Sequence, residues 1–174
     1  LGTLALAATH FALVGFGVYG DGHGYYTPLR SAVFDHDLVV SDEYTHLSAS
    51  QSRSGGGARW QHEIPTYSKY TVGMAIVLAP FYLSGHLCLL LSNATGLSNI
   101  QTDGLSWPYE LSYCLGSVLI GLMGIFCVYR ACRLFFPRMP SIVATIGVWF
   151  ASPLFFYLAI ENSMSHSVSQ GIVS

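Results

Sequence analysis

The chain of 174 residues is 52% hydrophobic and only 9% charged, and it carries a formal net charge of −2. A typical soluble domain has about 25% charged residues, which cover its surface with groups that water solvates. The composition therefore excludes an ordinary soluble globular domain and indicates an all-α integral membrane protein. The four cysteines all lie in apolar segments and form no C-x-x-C pair, so they are read as small apolar residues.

The first apolar segment covers 1–19 and is predicted to be transmembrane helix 1. Because the chain begins at Leu1, already inside this apolar run, we interpret it as a piece of a longer protein. A signal peptide is the competing interpretation of 1–19, but no basic region precedes the run and no Ala-x-Ala site follows it. Three further apolar segments are found at 71–92, 111–136 and 141–160.

Three arginines set the expected topology. Arg130, Arg133 and Arg138 cluster around the short connection between 111–136 and 141–160, where no acidic residue occurs. The positive-inside rule places that connection in the cytoplasm. We therefore expect the two flanking segments to be transmembrane helices that leave their other ends outside. The outer side then holds a large loop, 20–110, and the start of the next outer loop, 161–174.

The segment 71–92 is long enough to cross a membrane, but its polar content favours a juxtamembrane or re-entrant helix. Pro80 and the run Ser84-Gly85-His86 interrupt its apolar character. The alternative, a full crossing, would place the acidic stretch 20–70 in the cytoplasm. The expected architecture is a helical bundle of about three transmembrane helices with one large extracytoplasmic loop.

Asp21 directly follows the first apolar segment and is the first candidate for chemistry. Gly20 and Gly22 flank it and let the backbone turn sharply. A carboxylate at a membrane helix end is partly desolvated, which raises its pKa toward the range of a general base. A helix-end carboxylate that simply faces water is the alternative interpretation.

Tyr25, Tyr26 and Arg30 follow within reach of the same place. Paired tyrosines at an interface are commonly membrane anchors, and the alternative is that they stack against a sugar ring. Arg30 can bind a phosphate or orient a carboxylate through two hydrogen bonds. An arginine that only forms an ion pair is the competing interpretation.

The run Asp35-His36-Asp37 is the candidate metal site. Side chains at i and i+2 point the same way in an extended chain, so Asp35 and Asp37 could together offer oxygen ligands to Mg²⁺ or Mn²⁺. Asp42 and Glu43 add acceptors nearby. The alternative is a solvated acidic loop with no metal, and nothing in the sequence demands the ion.

His166 lies just after the last apolar segment, in a polar run on the same expected side of the membrane as Asp21. It can complete a site with Asp21, and a hydrated helix end is the alternative. Each of these signals is weak alone. Their common placement on one face of the membrane is the stronger observation.

The sequence resembles multi-spanning GT-C glycosyltransferases, among them the dolichyl-phosphate-mannose protein mannosyltransferases (glycosyltransferase family 39) and their bacterial relatives. The first outer loop of that family is similar to the runs Asp21-Gly22-His23-Gly24-Tyr25-Tyr26-Thr27-Pro28-Leu29-Arg30-Ser31, Phe34-Asp35-His36-Asp37-Leu38 and Asp42-Glu43-Tyr44. Its return segment and the outer end of its third membrane helix are similar to Lys69-Tyr70-Thr71-Val72-Gly73, Leu78-Ala79-Pro80-Phe81 and Glu161-Asn162-Ser163-Met164-Ser165-His166.

This resemblance implies a GT-C fold, a donor sugar linked to polyprenyl phosphate, and an acidic residue of the first loop near the reaction centre, a role that falls on Asp21 by position. In that family the helix equivalent to 71–92 does not cross the membrane. The resemblance implies no firm requirement for a metal ion. Two departures occur. Thr71 stands where the family commonly has proline, and 48–57 is an unusual polar insert.

The sequence thus predicts a multi-pass enzyme, expected in a bacterial inner membrane with its active site outside the cytoplasm. It would move a sugar from a polyprenyl-phosphate donor to an acceptor hydroxyl, with Asp21 as the general base. Membrane lipids are expected as further partners, and nucleic acid is not. The substrate-binding residues would be Tyr25, Tyr26, Arg30, Glu43 and His166. A transporter, or a non-enzymatic assembly or sensor protein, is the alternative, and the near absence of charge inside the apolar segments disfavours transport.

Overall fold

The computed structural model describes residues 2–14, 17–18, 20–46 and 65–174. The fold of these residues is all-helical, as expected, and its one β contact is an isolated antiparallel bridge between Val39 and Tyr67. The polar insert at 48–57 lies outside the described residues. The helices in chain order are α1 (Gly2–Val14), α2 (Gly22–Phe34), α3 (41–46), α4 (Gly73–Ala94), α5 (Trp107–Phe135), α6 (Arg138–Phe150), α7 (Leu154–Ala159) and α8 (Ser165–Val173).

Helices α4 and α5 are long and apolar enough to cross a membrane. They have 22 and 29 residues, and the mean hydropathy of their most apolar windows is 1.9 and 2.1. Less than half of each window is buried against the rest of the chain, whereas the core helix of a soluble protein is mostly buried. Helix α4 continues without a break through Pro80. Length and composition thus make both helices candidates for insertion into a lipid bilayer.

The segment 141–160, predicted as a single transmembrane helix, is divided between two helices. Helix α6 ends at Phe150, and α7 begins at Leu154 behind Pro153, which is its N-terminal capping residue with a φ of −61°. Proline disfavours a helical conformation of the residue before it and has no N–H to continue the hydrogen-bond ladder. The following stretch, predicted as the start of a loop, contains α8.

Helix α5 is the centre of the bundle, with α4, α6, α7 and α8 packed against it. Small residues allow this close packing of helices. Gly116 of α5 faces the ring of Phe81 from α4, and Gly124 faces Gly171 of α8 so closely that a methyl group on Gly124 would overlap the Gly171 backbone. The approach of α8 brings the polar run around His166 toward α2.

An aromatic cluster attaches α2 to α4 and α5. Tyr26 lies edge-on to Tyr82 and Tyr113, with ring centroids 5.7 and 5.1 Å away. The Tyr26 and Tyr82 hydroxyls both donate to the carbonyl oxygen of Gly104, at 2.6 and 2.9 Å. Tyr26 is fully buried, so in this structure it is a packing residue, and the predicted contact of Tyr26 with a substrate is not available.

Candidate functional site

Asp21 lies exposed at the N-terminal cap of α2. Gly20 precedes it with a φ of +58°, a left-handed conformation that glycine adopts without strain. The backbone then turns into the helix through a hydrogen bond from the Gly24 N–H to the Asp21 carbonyl oxygen, at 3.0 Å. Gly20 thus makes the sharp turn that the sequence predicted, and Asp21 lies at the start of a helix that was not predicted.

The chain that leads to Asp21 is fixed by a buried carboxylate from α5. Oε2 of Glu110 accepts hydrogen bonds from the backbone N–H groups of Gly17 and Val18, at 2.7 and 3.2 Å. Cys114, one turn further along α5, donates its thiol to the Gly17 carbonyl oxygen at 3.3 Å. Glu110 is only 6% exposed. These contacts hold the backbone just before Asp21 against α5.

Two glycines of α2 allow close packing on the other side of Asp21. A side chain on Gly22 would overlap Ser163, and a side chain on Gly24 would overlap the ring of Tyr70. The first turn of α2 therefore contacts both the turn before α8 and the segment before α4. Ser68 adds a hydrogen bond from its hydroxyl to the Gly24 carbonyl oxygen, at 2.6 Å.

The surroundings of Asp21 are acidic and phenolic. Burial is the main cause that raises the pKa of Tyr70, and the nearby Asp21 carboxylate raises it further. The pKa of Tyr44 is raised in the same way, by burial first and then by Asp21. Glu161 is close as well, since its Oε1 would lie 3.7 Å from a Cβ on Gly20. Asp21 is thus an exposed carboxylate beside buried and partly buried side chains that can carry a proton.

Glu161 connects Asp21 with His166. The pKa of Glu161 is raised by burial first and then by the negative charge of Asp21, while His166 acts against both. The His166 ring is exposed and stacks on Tyr157, with centroids 4.1 Å apart. The sequence predicted that Asp21 and His166 belong to one site. Both act electrostatically on Glu161, a residue that the sequence analysis did not single out except as part of a family-like run.

A pocket of about 260 Å³ opens beside Tyr25. The Tyr25 ring lies against Tyr70, with centroids 4.5 Å apart, and its hydroxyl accepts a hydrogen bond from Ser165 at 3.2 Å. The pocket lies among α2, α8 and the beginning of α4, and the residues that line it are Tyr25, Thr71, Gly73, Met74, Val77, Ser165, Val168, Ser169 and Ile172. Hydroxyl groups and apolar side chains thus share its wall, which suits an amphiphilic ligand.

Lys69 is a basic residue near this pocket that the sequence analysis did not select. Its ammonium group lies 5.0 Å from the centre of the Tyr70 ring, a cation–π contact. Because Tyr70 stacks on Tyr25, this positive charge is close to one wall of the pocket. The signal in the sequence that could have identified Lys69 was its position in the family-like run Lys69-Tyr70-Thr71.

Arg30 lies about one and a half turns of α2 beyond Tyr25, and acidic side chains surround it. Its Nη1 contacts the carboxylates of Asp35, Asp42 and Glu43, with the last two at 3.8 and 3.2 Å. The side chain of Glu43 is fully buried, and its Oε2 accepts no hydrogen bond. Arg30 is therefore engaged by ion pairs, and the predicted contact with a substrate phosphate would require these pairs to open.

The pKa values of Glu43 and Asp42 are shifted in opposite directions. The pKa of Glu43 is raised to about 7, chiefly by burial and then by its interaction with the Asp42 carboxyl group. The same interaction is the main cause that lowers the pKa of Asp42. Glu43 therefore holds a proton more tightly than Asp42 does. Glu43 was predicted to bind substrate, but in this structure it is enclosed by protein.

The predicted metal pair of Asp35 and Asp37 does not form, because the backbone between them is not extended. Asp35 ends α2 with a helical φ of −99°, and His36 follows with a φ of +60°. Asp37 turns away, and its Oδ1 accepts hydrogen bonds from the Ser31 hydroxyl and the Val39 N–H at 2.7 and 3.0 Å.

Asp35 instead groups with Asp42 and Glu43, and one oxygen of each lies within 4.8 Å of the others. This spacing would suit a divalent cation, but Nη1 of Arg30 contacts all three carboxylates. With the guanidinium in place, these residues do not fit a metal ion.

No known family model, curated protein or solved structure matches the chain.

Proposed function

We propose that the chain forms part of a GT-C-type membrane glycosyltransferase, which moves a sugar from a polyprenyl-phosphate donor to an acceptor hydroxyl outside the cytoplasm. The observation that carries the proposal is the position of Asp21. Its exposed carboxylate lies beside Tyr70 and Glu161, and Tyr70 stacks on Tyr25 at the wall of an amphiphilic pocket. A base beside a pocket that suits an amphiphile is the arrangement that transfer from a lipid-linked donor requires.

The proposed reaction is an inverting displacement. The acceptor oxygen attacks the anomeric carbon of the sugar while the Asp21 carboxylate takes the hydroxyl proton. The bond between the anomeric carbon and the phosphate oxygen breaks, and its electron pair leaves with the polyprenyl phosphate. Glu161, whose pKa is raised by burial and by Asp21 and lowered by His166, is the group that we assign to take up the proton afterwards.

The charge of the leaving phosphate needs a positive partner. Arg30, which the sequence analysis favoured, is already paired with three carboxylates. Lys69 is exposed and contacts Tyr70, whose ring lies against Tyr25 at the pocket wall, so we assign Lys69 the contact with the phosphate. Tyr25, Thr71 and Ser165 would offer hydroxyl groups to the sugar, and Met74, Val77 and Ile172 would contact the first part of the lipid.

The proposed topology follows from the arginines and is compatible with the helices. Arg130, Arg133 and Arg138 face the cytoplasm, α5 crosses the membrane, and α4 lies at the outer surface. The N-terminal end of α2 and the pocket then open to the outer side of a bacterial inner membrane. No step of the proposed reaction uses a metal ion.

The test replaces Asp21 by asparagine in the full-length protein. The purified protein is given a polyprenyl-phosphate-linked sugar, and the release of polyprenyl phosphate is measured. We expect the Asp21→Asn variant to lose at least about 100-fold in kcat, the range that general-base catalysis contributes. Asp103→Asn is the matched control, because its Oδ1 can still accept the amide hydrogen bonds of Leu105 and Ser106. Equal rates for Asp21→Asn and wild type would refute the assignment.

A further inference from the structure

We propose that Arg30 is a built-in cation that occupies the acidic pocket of Asp35, Asp42 and Glu43 in the place of a divalent metal ion. In doing so it holds α3 against α2. This inference does not depend on the proposed function.

The contacts of the guanidinium group carry the inference. A single nitrogen, Nη1, contacts carboxylate oxygens of all three acids, and the Arg30 side chain is only 15% exposed. Glu43, the most deeply placed of them, has a side chain with no exposed surface. The guanidinium group therefore contacts all three carboxylates at once, as a metal ion bound by them would.

The rest of the Arg30 side chain is also held in place. Its Nε donates to the Asp103 carbonyl oxygen at 3.1 Å, and its guanidinium carbon lies 5.5 Å from the centre of the Phe34 ring. Its stem passes so close to Gly104 that a Cβ there would lie 2.8 Å from the Arg30 Cγ. These contacts hold the Arg30 stem, its Nε and its guanidinium carbon, so the side chain has little freedom to move away from the carboxylates.

Charge and chemistry explain why arginine excludes a metal here. A guanidinium group stays protonated at all relevant pH values, so it cannot become neutral to make room for a second cation. A divalent ion among the carboxylates would lie next to this positive charge. Removing the guanidinium removes the competing charge and leaves three oxygen ligands within 4.8 Å of one another.

The cluster connects to Asp21 through α3. Asp42 and Glu43 belong to α3, and Tyr44 follows directly. The Tyr44 ring lies 6.2 Å from the ring of His23 in the first turn of α2, and the pKa of Tyr44 responds to Asp21. The ion pairs of Arg30 thus hold the helix that brings Tyr44 to the neighbourhood of Asp21.

Mn²⁺ titration of the full-length protein tests the inference. After treatment with EDTA and removal of the chelator, Mn²⁺ is added and the free ion is followed by electron paramagnetic resonance. We expect wild type and Glu43→Gln to deplete the free signal equally, since the carboxylates hold no metal while Arg30 is present. We expect Arg30→Gln to remove additional Mn²⁺ from solution, and Arg30→Gln with Glu43→Gln to lose that additional binding. Arg30→Lys keeps the positive charge and should resemble wild type.

Two results would overturn the inference. Weaker Mn²⁺ binding by Glu43→Gln than by wild type would mean that the carboxylates hold a metal and that Arg30 moves aside. A folded Arg30→Gln variant without additional Mn²⁺ binding would mean that Arg30 is not what excludes the ion. If Arg30→Gln fails to fold, the comparison of wild type with Glu43→Gln still decides. Either result leaves the test of Asp21 unaffected, because Mn²⁺ binding is measured without substrate.

Discussion

Gly22 lies directly against the side chain of Ser163, with no space between them for a methyl group. Ser163 is fully buried in the turn before α8. This contact joins the first turn of α2, which carries Asp21 at its cap, to the segment that carries Glu161. The glycine therefore sets the distance between the two acidic residues of the candidate site.

Replacement of Gly22 by alanine should destabilise the protein. Overpacking costs about 1–3 kcal/mol, which exceeds the gain of about 0.5–1 kcal/mol from alanine in a helix. Gly73→Ala, at the start of α4, is the matched control because nothing lies within 4 Å of the added Cβ. Denaturant unfolding in detergent measures both, and Ser163→Gly should restore the stability of Gly22→Ala. A stable Gly22→Ala variant would mean that the contact relaxes at no cost.

Glu110 should be required for its acceptor oxygen. Glu110→Ala leaves the N–H groups of Gly17 and Val18 without their acceptor, and an unsatisfied buried donor costs about 1–3 kcal/mol. Glu110→Gln keeps an acceptor oxygen of the same reach and should lose much less. The free energies of unfolding of the two variants provide the measurement. Equal losses would mean that the negative charge, rather than the acceptor, is what the backbone needs.

Tyr25 and Tyr26 should behave differently although they are adjacent. Tyr26→Phe loses the hydrogen bond to Gly104, at a cost of about 0.5–1.5 kcal/mol in stability, and should leave the KM for the donor unchanged. Tyr25→Phe removes a hydroxyl from the wall of the pocket and should raise that KM with little effect on stability. Unfolding curves and steady-state kinetics of the pair measure both effects. A raised KM in Tyr26→Phe would contradict its assignment as a packing residue.

The different fates of these tyrosines show what the sequence could not predict. Neighbouring residues on a helix point about 100° apart, so one faces the pocket while the other faces the core. The stretch 20–110 was predicted as an outer loop with a helix only at 71–92, so helix α2 was not foreseen. Gly22, Gly24 and Pro28 all lower the intrinsic helix propensity of α2, and tertiary packing overrides that preference.

The predicted pairing of Asp35 with Asp37 as metal ligands rested on a similar wrong assumption about the backbone. Asp35 and Asp37 would point the same way only in an extended strand, and the end of α2 with the positive φ of His36 separates them. The overall helical fold followed from composition and needed no detail of packing. The meeting of the Asp21 and His166 regions was predicted from the expectation that both lie on the same side of a membrane. Glu161, which lies between them, had no signal of its own beyond its place in a polar run.

The stability of the protein should depend on pH through Glu43. Its pKa in the folded state is raised to about 7 from a normal value of 4.5. A raised pKa means that the folded state binds the proton more tightly, so this contribution is fully present below pH 4.5 and is lost as the pH rises through 7. The expected slope is at most about 1.4 kcal/mol per pH unit. Glu43→Gln is neutral at all pH values and should lack this slope in unfolding experiments from pH 4.5 to 8, whereas parallel curves would contradict the assignment.

The two ends of α4 should lie on the same side of the membrane if α4 rests at the outer surface. Val72 and Leu97 lie just beyond its ends and are 45% and 84% exposed, which suits them for labelling. In a variant without the native cysteines, Val72→Cys and Leu97→Cys should both react with a membrane-impermeant maleimide added to intact cells. Met139→Cys, in the arginine-rich connection, should react only after the cells are permeabilised. Labelling of only one end of α4 would show that α4 crosses the bilayer, and Asp21 would then lie on the side opposite to Leu97.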